Sequence, residues 1–142
     1  MSDEVEANKA VAIKFLTQFH TGAVPLEDIY TPGYVHHNEA FYPGLEPGLD
    51  NFKRALFARA GGISDLEVRI DHLFGEGDKV VARFTLTGTH SGIFQNIPAT
   101  GRRVTFPATD IYRFEGGRIA EGWALMDFLS FLQQVGAAPQ VA

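Results

Sequence analysis

The segment "DIYRFEGGRIAEGW", residues 110–123, carries Asp110 and Glu121, two carboxylates that could exchange protons, on either side of a Gly-Gly pair, with Glu115 beside the turn. A primed two-residue turn needs positive φ at both central positions, so Gly116-Gly117 marks a tight β-hairpin. With those glycines as the loop, Glu115 faces Arg118, Tyr112 faces Glu121 and Asp110 faces Trp123. Residues opposite one another in an antiparallel pair share a face. This register gathers Asp110, Tyr112, Glu121 and Trp123 with Phe106, Ala108, Phe114, Ile119 and Leu125. The other face holds Thr105, Thr109, Ile111, Arg113, Ala120, Gly122 and Ala124. The first set is larger and more apolar, so it is expected to point inward. The parity tolerates small boundary errors but not a bulge, which reverses everything beyond it.

A carboxylate on an apolar face is costly unless it is paired, hydrogen-bonded, protonated or open to a cavity. Four arrangements satisfy that condition. The acids could belong to a closed network with Tyr112, Trp123 or backbone groups. A bulge could turn one of them to solvent, or both could lie in a subunit interface. In the fourth, a water-accessible pocket holds an acid of raised pKa that transfers protons.

Other residues of suitable chemistry lie nearby in sequence. His90, in "LTGTHSG", has the inward parity of Val80, Phe84 and Leu86 and ends its strand beside glycines, where a pocket mouth or a hydrogen-bonded core position fits equally. "YVHHNEAFYPG" offers His36, His37 and Asn38 among aromatics. Adjacent residues of an extended segment point opposite ways, so the two histidines are poorly placed to share an ion, and no HxH or HExxH spacing occurs. No metal is expected; a hydrogen-bonding role for His37 or Asn38 at a pocket rim competes with a plain loop role. His72 continues the Leu66, Val68, Ile70 stripe, and His20 closes the first helix, where a cation is favoured; both read as structural. Ser91 and Ser130 lack a GxSxG context, and the glycine pairs lack nucleotide-binding spacing.

These residues need a scaffold. The chain has 142 residues, enough for one domain spanning 1–142 with a core and a pocket. Twelve phenylalanines indicate an interior built from large side chains. "EVEANKAVAIKFLTQFHTG" places Val5, Ala12, Phe15, Leu16 and Phe19 on one helical stripe, with Ser2 or Asp3 as cap and Gly22 as stop. "VPLEDIYTPGYVHHNEAFYPGLEPGL" reads as turns with short helical or extended pieces, and a second helix runs from Asp50 to about Ala60. Alternating strands follow in "LEVRIDHLF", "KVVARFTLTGTH" and the terminal hairpin; "MDFLSFLQQVG" closes as a short helix or irregular tail. Helices followed by a curled run of antiparallel strands give an α+β fold with helices over one sheet face.

Composition removes several function classes. The formal net charge of −5 with scattered Lys and Arg argues against nucleic acid or an anionic membrane as partner. The absence of cysteine excludes disulfides and thiolate chemistry. No apolar run approaches a membrane span and the start is acidic and polar, so a cytoplasmic location is expected.

The segments "YVHHNEAFYPG", "GDKVVARFTLTGTHSGIFQNIPATGRRV" and "DIYRFEGGRIAEGWALMDFLSFLQQVG" resemble the SnoaL-like polyketide cyclase and ester cyclase family of the nuclear transport factor two-like superfamily. The resemblance runs from about Tyr34 to Gly136. It implies a cone-shaped curved antiparallel sheet wrapped by N-terminal helices around one apolar pocket. It also implies oligomers, a homodimer or tetramer, and acid/base aldol-type ring closure of a small apolar or polyketide-like molecule without a cofactor. His37-Asn38, His90, Asp110, Glu121, Trp123 and Asp127 match recurrent family positions, with Glu39 where a proline often follows "HN". The expected assignment has Asp110 as general acid/base with Glu121 second, His90 and the His37-Asn38 pair as hydrogen-bond donors to a substrate carbonyl or enolate, and His36 among the substrate-binding residues. Trp123, Tyr112 and Phe106 would shape the apolar wall, with Asp127 nearby. A noncatalytic binder of a small apolar ligand, an isomerase or epoxide hydrolase of the same fold, and a structural protein with a filled cavity are the alternatives.

Overall fold

The computed structural model describes residues 2–140, the side chains of Arg59 and Ala60 excepted. Its first helix, α1 (Asp3–Gln18), begins where the Ser2 side chain accepts from the Val5 amide at 3.2 Å, with Asp3, Glu4 and Glu6 in the first turn. Val5, Ala12, Phe15 and Leu16 are buried along its inner stripe, and Asn8 is buried with them. A 3₁₀ turn, Leu26–Asp28, leads into strand β1 (Tyr30–His37), and α2 (Leu49–Ala60) follows. Strands β2 (Ile63–Glu76), β3 (Lys79–His90), β4 (Arg103–Glu115) and β5 (Arg118–Met126) precede the closing helix α3 (Phe128–Gln134).

The strands form one open sheet in the order β1-β5-β4-β3-β2. Neighbours from β2 to β5 are antiparallel as expected, but β1 adds to β5 in parallel, making the sheet mixed. The segment around Pro32 and Gly33, read from sequence as turns and short pieces, supplies that strand at the sheet edge, the place where proline costs least. All three helices lie on one face: α1 packs on β2 and β3, α2 on β1 and α3 on β4. The core lies between, and no helix among the described residues is long and apolar enough to cross a membrane.

Of the register shifts in the sheet, two decide where the expected site residues point. Gly116 and Gly117 adopt φ values of 57° and 83°, and Glu115 faces Arg118 as expected from the turn. Phe114 then faces Ile119, but Arg113 faces Glu121, so Ala120 is an extra residue in β5. Beyond it the expected parity is reversed: Tyr112 faces Gly122, Ile111 faces Trp123 and Asp110 faces Ala124. Glu121, Trp123 and Leu125 therefore belong to the outer face, and Gly122, Ala124 and Met126 to the inner one. A second bulge at Asp71, between the pairs Ile70–Phe84 and His72–Arg83, turns His72 outward and leaves it exposed, against the expected inward stripe. β4 keeps its expected parity, with Val104, Phe106, Ala108, Tyr112 and Phe114 buried.

The bulge makes Gly122 a packing position. A Cβ built there would stand 2.3 Å from the hydroxyl of Tyr34, a side chain only 1% exposed and wedged among Tyr30, Phe52 and His36. Overpacking of this kind in a rigid site costs roughly 1–3 kcal/mol. Gly122→Ala should lower stability by about that amount in urea unfolding; a neutral substitution would place this residue on the open face and contradict the bulged register.

Candidate active site

Between the inner sheet face and the helices lies a cavity of about 90 Å³. The side chains that give it its shape are arranged in cross-strand rows. One row runs from His36 on β1 through Gly122 on β5 to Tyr112 on β4. In the next, Asp110 on β4 stands between Ala124 on β5 and Ala82 on β3. Three of Asp110's and Tyr112's near neighbours are thus alanine or glycine, and the sheet floor is hollow where large side chains would otherwise meet. Phe15, Leu16, Tyr30, Tyr34 and Phe52 close the space from the other elements. A second cavity of about 70 Å³ adjoins it, sharing Phe19, Tyr42, Leu56, Leu86 and Met126 as walls and ending on Phe41, Phe94 and Phe106.

Asp110 keeps partial accessibility because it faces this cavity, although protein surrounds it on every side. Tyr112 donates its hydroxyl proton to Asp110 Oδ2 at 2.6 Å. Loss of hydration outweighs that bond and pushes the Asp110 carboxyl up to about 7. The same burial raises Tyr30, Tyr34 and Tyr112 well above ordinary phenols, so all three stay protonated at neutral pH. His36 is pushed down to about 4, chiefly by burial and secondarily by neighbouring His37, and is neutral. Its Nδ1 lies 2.7 Å from the Tyr34 hydroxyl.

Glu121 has the opposite environment. On the outer face, its Oε2 accepts from His37 Nε2 at 2.7 Å and its Oε1 from Arg113 Nε at 3.0 Å. These donors, His37 first and Arg113 next, hold its carboxyl below the usual range. The His37 ring stacks on Trp123 at 5.2 Å between centroids and 13° between planes. The expectation that Glu121 joins Asp110 on the inner face is corrected: the Ala120 bulge separates the two acids, and Glu121 does not line the cavity. Of the adjacent histidines, His36 points in and His37 out, as alternation requires.

The remaining expected residues are spread more widely. His90 is fully buried, donating from Nε2 to the Ile97 carbonyl at 3.2 Å and meeting the Thr100 hydroxyl with Nδ1 at 3.0 Å. Both nitrogens thus fasten the 91–102 loop, and His90 lines neither cavity. Asn38 lines the first cavity, but its Oδ1 accepts from the Phe41 amide at 3.3 Å and shapes the turn after β1. Trp123 borders the first cavity while stacked on His37, and Phe106 walls the second. Asp127 caps α3, accepting from the Ser130 amide at 3.0 Å. Tyr30 and Tyr34 were missed as site residues; the signal was their i, i+4 spacing, which in a strand puts both on one face. Among the described residues no group of three or more His, Asp or Glu side chains is placed to hold a metal ion.

A family profile described as SnoaL-like polyketide cyclase matches residues 10–135. The chain belongs to the SnoaL-like polyketide cyclase family. Among solved structures, this SnoaL-like chain is similar to TsrD from Streptomyces laurentii at 33% identity and a TM-score of 0.83, covering 97% of this chain and 99% of that one. It is also similar to AclR, a candidate hydroxylase from Streptomyces galilaeus, at 22% identity and a TM-score of 0.81, covering 97% and 86% of the two chains. IdmH, a candidate polyketide cyclase from Streptomyces antibioticus, is 24% identical with a TM-score of 0.78, covering 91% and 98%. The last two likenesses bear on the fold alone. No curated protein matches the chain.

The environment of Asp110 has a consequence for stability. The folded chain keeps this proton up to about pH 7, whereas the unfolded chain releases it near 3.8. Between those values the native state binds more protons, so Asp110 makes stability fall as pH rises and the effect levels off above about 7. Asp110→Asn should remove this slope, gaining on wild type by roughly 2–4 kcal/mol between about pH 4.5 and 7.5 in chemical denaturation. Parallel pH profiles for the two proteins would contradict the buried, proton-holding carboxyl.

Proposed function

We propose that this chain is an acid/base enzyme acting on a small, largely apolar carbonyl compound of polyketide type, with Asp110 as the group that takes and returns the proton. The observation that carries the reading is a carboxyl with a pKa near neutrality inside a hollow otherwise walled by apolar and phenolic side chains. In the ionised state Asp110 removes a proton from carbon next to a carbonyl, and the bond's electron pair moves onto the carbonyl oxygen. The enolate carbon attacks a second carbonyl of the same molecule, forming the carbon–carbon ring bond. The resulting alkoxide recovers the proton from Asp110, so no acid, base or cofactor is consumed. Tyr112 holds the carboxylate through Oδ2 and leaves Oδ1 for the reacting carbon.

The two adjoining cavities suit a substrate with its polar end at Asp110 and its apolar remainder toward Phe41, Phe94 and Phe106. Glu121 is assigned to the outer ion network rather than to chemistry, and His90 to holding the 91–102 loop. We further propose assembly as a homodimer or tetramer through the outer sheet face, where Leu125 is 75% and Ile111 36% exposed beside Trp123.

The test is turnover of linear poly-β-ketone substrates, following ring-closed product by chromatography. Asp110→Asn should lower kcat by about 10²–10⁴-fold, while Glu121→Gln remains near wild type. Wild-type kcat should rise as pH passes about 7, where the base form of Asp110 appears. Undiminished turnover by Asp110→Asn would overturn the assignment; tight binding with no turnover by wild type would make the protein a binder.

A further inference from the structure

One side chain that lines the cavity carries a polar atom without a partner. His36 Nε2 is closed to solvent and makes no hydrogen bond among the described residues. The ring is packed by Tyr34, Tyr42 and Phe52, with centroids 5.7, 5.3 and 4.7 Å away. Such a buried orphan is uncommon and calls for a physical account.

The Tyr34–His36 contact fixes what this atom is. The neutral ring carries one proton, on Nδ1 or on Nε2. If Nδ1 held it, Nδ1 would donate to the Tyr34 oxygen. The Tyr34 proton would then lack an acceptor, and the Nε2 lone pair would lack a donor. If Tyr34 donates to Nδ1 across the 2.7 Å contact, the phenol is satisfied and a single group, Nε2–H, is left over. The second arrangement strands one polar group instead of two, and buried polar groups are costly to strand. His36 therefore carries a neutral, unpartnered N–H on a ring that lines the same cavity as Asp110; Nε2 itself is closed off by the packed rings, so a ligand reaches it by displacing them.

We propose that His36 Nε2–H receives the substrate's carbonyl oxygen, making the ligand a small ketone-like compound whose oxygen lies against β1 and whose adjacent carbon faces Asp110. The geometry suits this role. His36 and Tyr112 occupy one inner row on either side of Gly122, about 10 Å apart between backbones at two strand spacings. Asp110 is one inward position further along β4. A carbonyl held at the His36 end thus directs its neighbouring carbon across the gap that Gly122 leaves. A neutral imidazole is well suited to polarise a carbonyl, because it stabilises the developing enolate oxygen without surrendering a full proton. Tyr34 is the positioning residue that fixes the tautomer. The identity of the acceptor as a substrate carbonyl rests on the acid/base reading above; the donor itself does not.

The test is binding, independent of turnover. Cyclohexanone and methylenecyclohexane have nearly the same shape, but only the first accepts a hydrogen bond. At about pH 8.5, where Asp110 is ionised and cannot donate, the wild-type ratio of affinities for cyclohexanone and methylenecyclohexane, which includes the ketone's loss of hydration, is the reference. His36→Phe should lower that ratio by about tenfold. Nitrogen spectra of labelled wild type should show the His36 proton on Nε2, moving on addition of cyclohexanone and not of methylenecyclohexane; this decides the matter if His36→Phe does not fold. A proton on Nδ1, or an affinity ratio left unchanged by His36→Phe, would overturn the proposal. Loss of turnover in Asp110→Asn bears only on the acid/base reading, so the two can fail separately.

Discussion

A carboxyl group held away from water beneath a sheet is tolerable only where the fold leaves space around it and a donor beside it. In this chain the space comes from absent side chains. Gly122, Ala124 and Ala82 surround the inner ends of Asp110 and Tyr112, while Phe15, Tyr30, Tyr34 and Phe52 close the space from the other elements. The donor is the Tyr112 hydroxyl. Close packing would normally fill such a hollow and bring its own dispersion energy. Leaving it open costs stability, and a buried acid adds to that cost; sites that bind or react commonly show this kind of local loss.

The same hairpin carries a second acid with the opposite character. Glu121 is one residue past the bulge and lies on the outer face, where His37 and Arg113 donate to it and hold it ionised. Asp110, on the inner face, loses water and gains only a phenol, so its proton is retained to near neutrality. Two carboxyl groups on neighbouring strands are thus pushed apart in pKa by environment alone, which is how acid/base roles are divided in enzyme sites. The extra residue Ala120 is the device that separates them.

Much of this was legible in the residues. The Ser2 cap, the α1 stripe, the Gly116-Gly117 turn and the inward parity of β4, with Asp110 and Tyr112 on one face, followed from local chemistry. The resemblance in the terminal hairpin named the family. What failed was the assumption that the more apolar of two alternating sets must face the core. After the bulge, Trp123 and Leu125 face out while Gly122 and Ala124 face in, because the inner wall of a hollow needs small residues there. The adjacent buried pair Ile119-Ala120 was the trace of the bulge, since regular alternation would bury only one of them. The parallel strand β1 was harder to read: Pro32 and Gly33 give a loop signal, and its pairing with β5 connects residues far apart in sequence. His90 shows a related ambiguity, for an inward histidine at a strand end looks alike whether it meets a ligand or the Ile97 and Thr100 groups that occupy it here.

One carboxyl under the sheet, that of Asp110, changes protonation near neutral pH because it is cut off from water. Infrared difference spectra of wild type against Asp110→Asn, recorded across a pH titration, observe that carboxyl directly. The structure predicts a protonated-acid carbonyl band belonging to Asp110 that disappears with a midpoint of about 7. A band already gone by about pH 5, as for an ordinary aspartate of pKa about 3.9, would contradict the account.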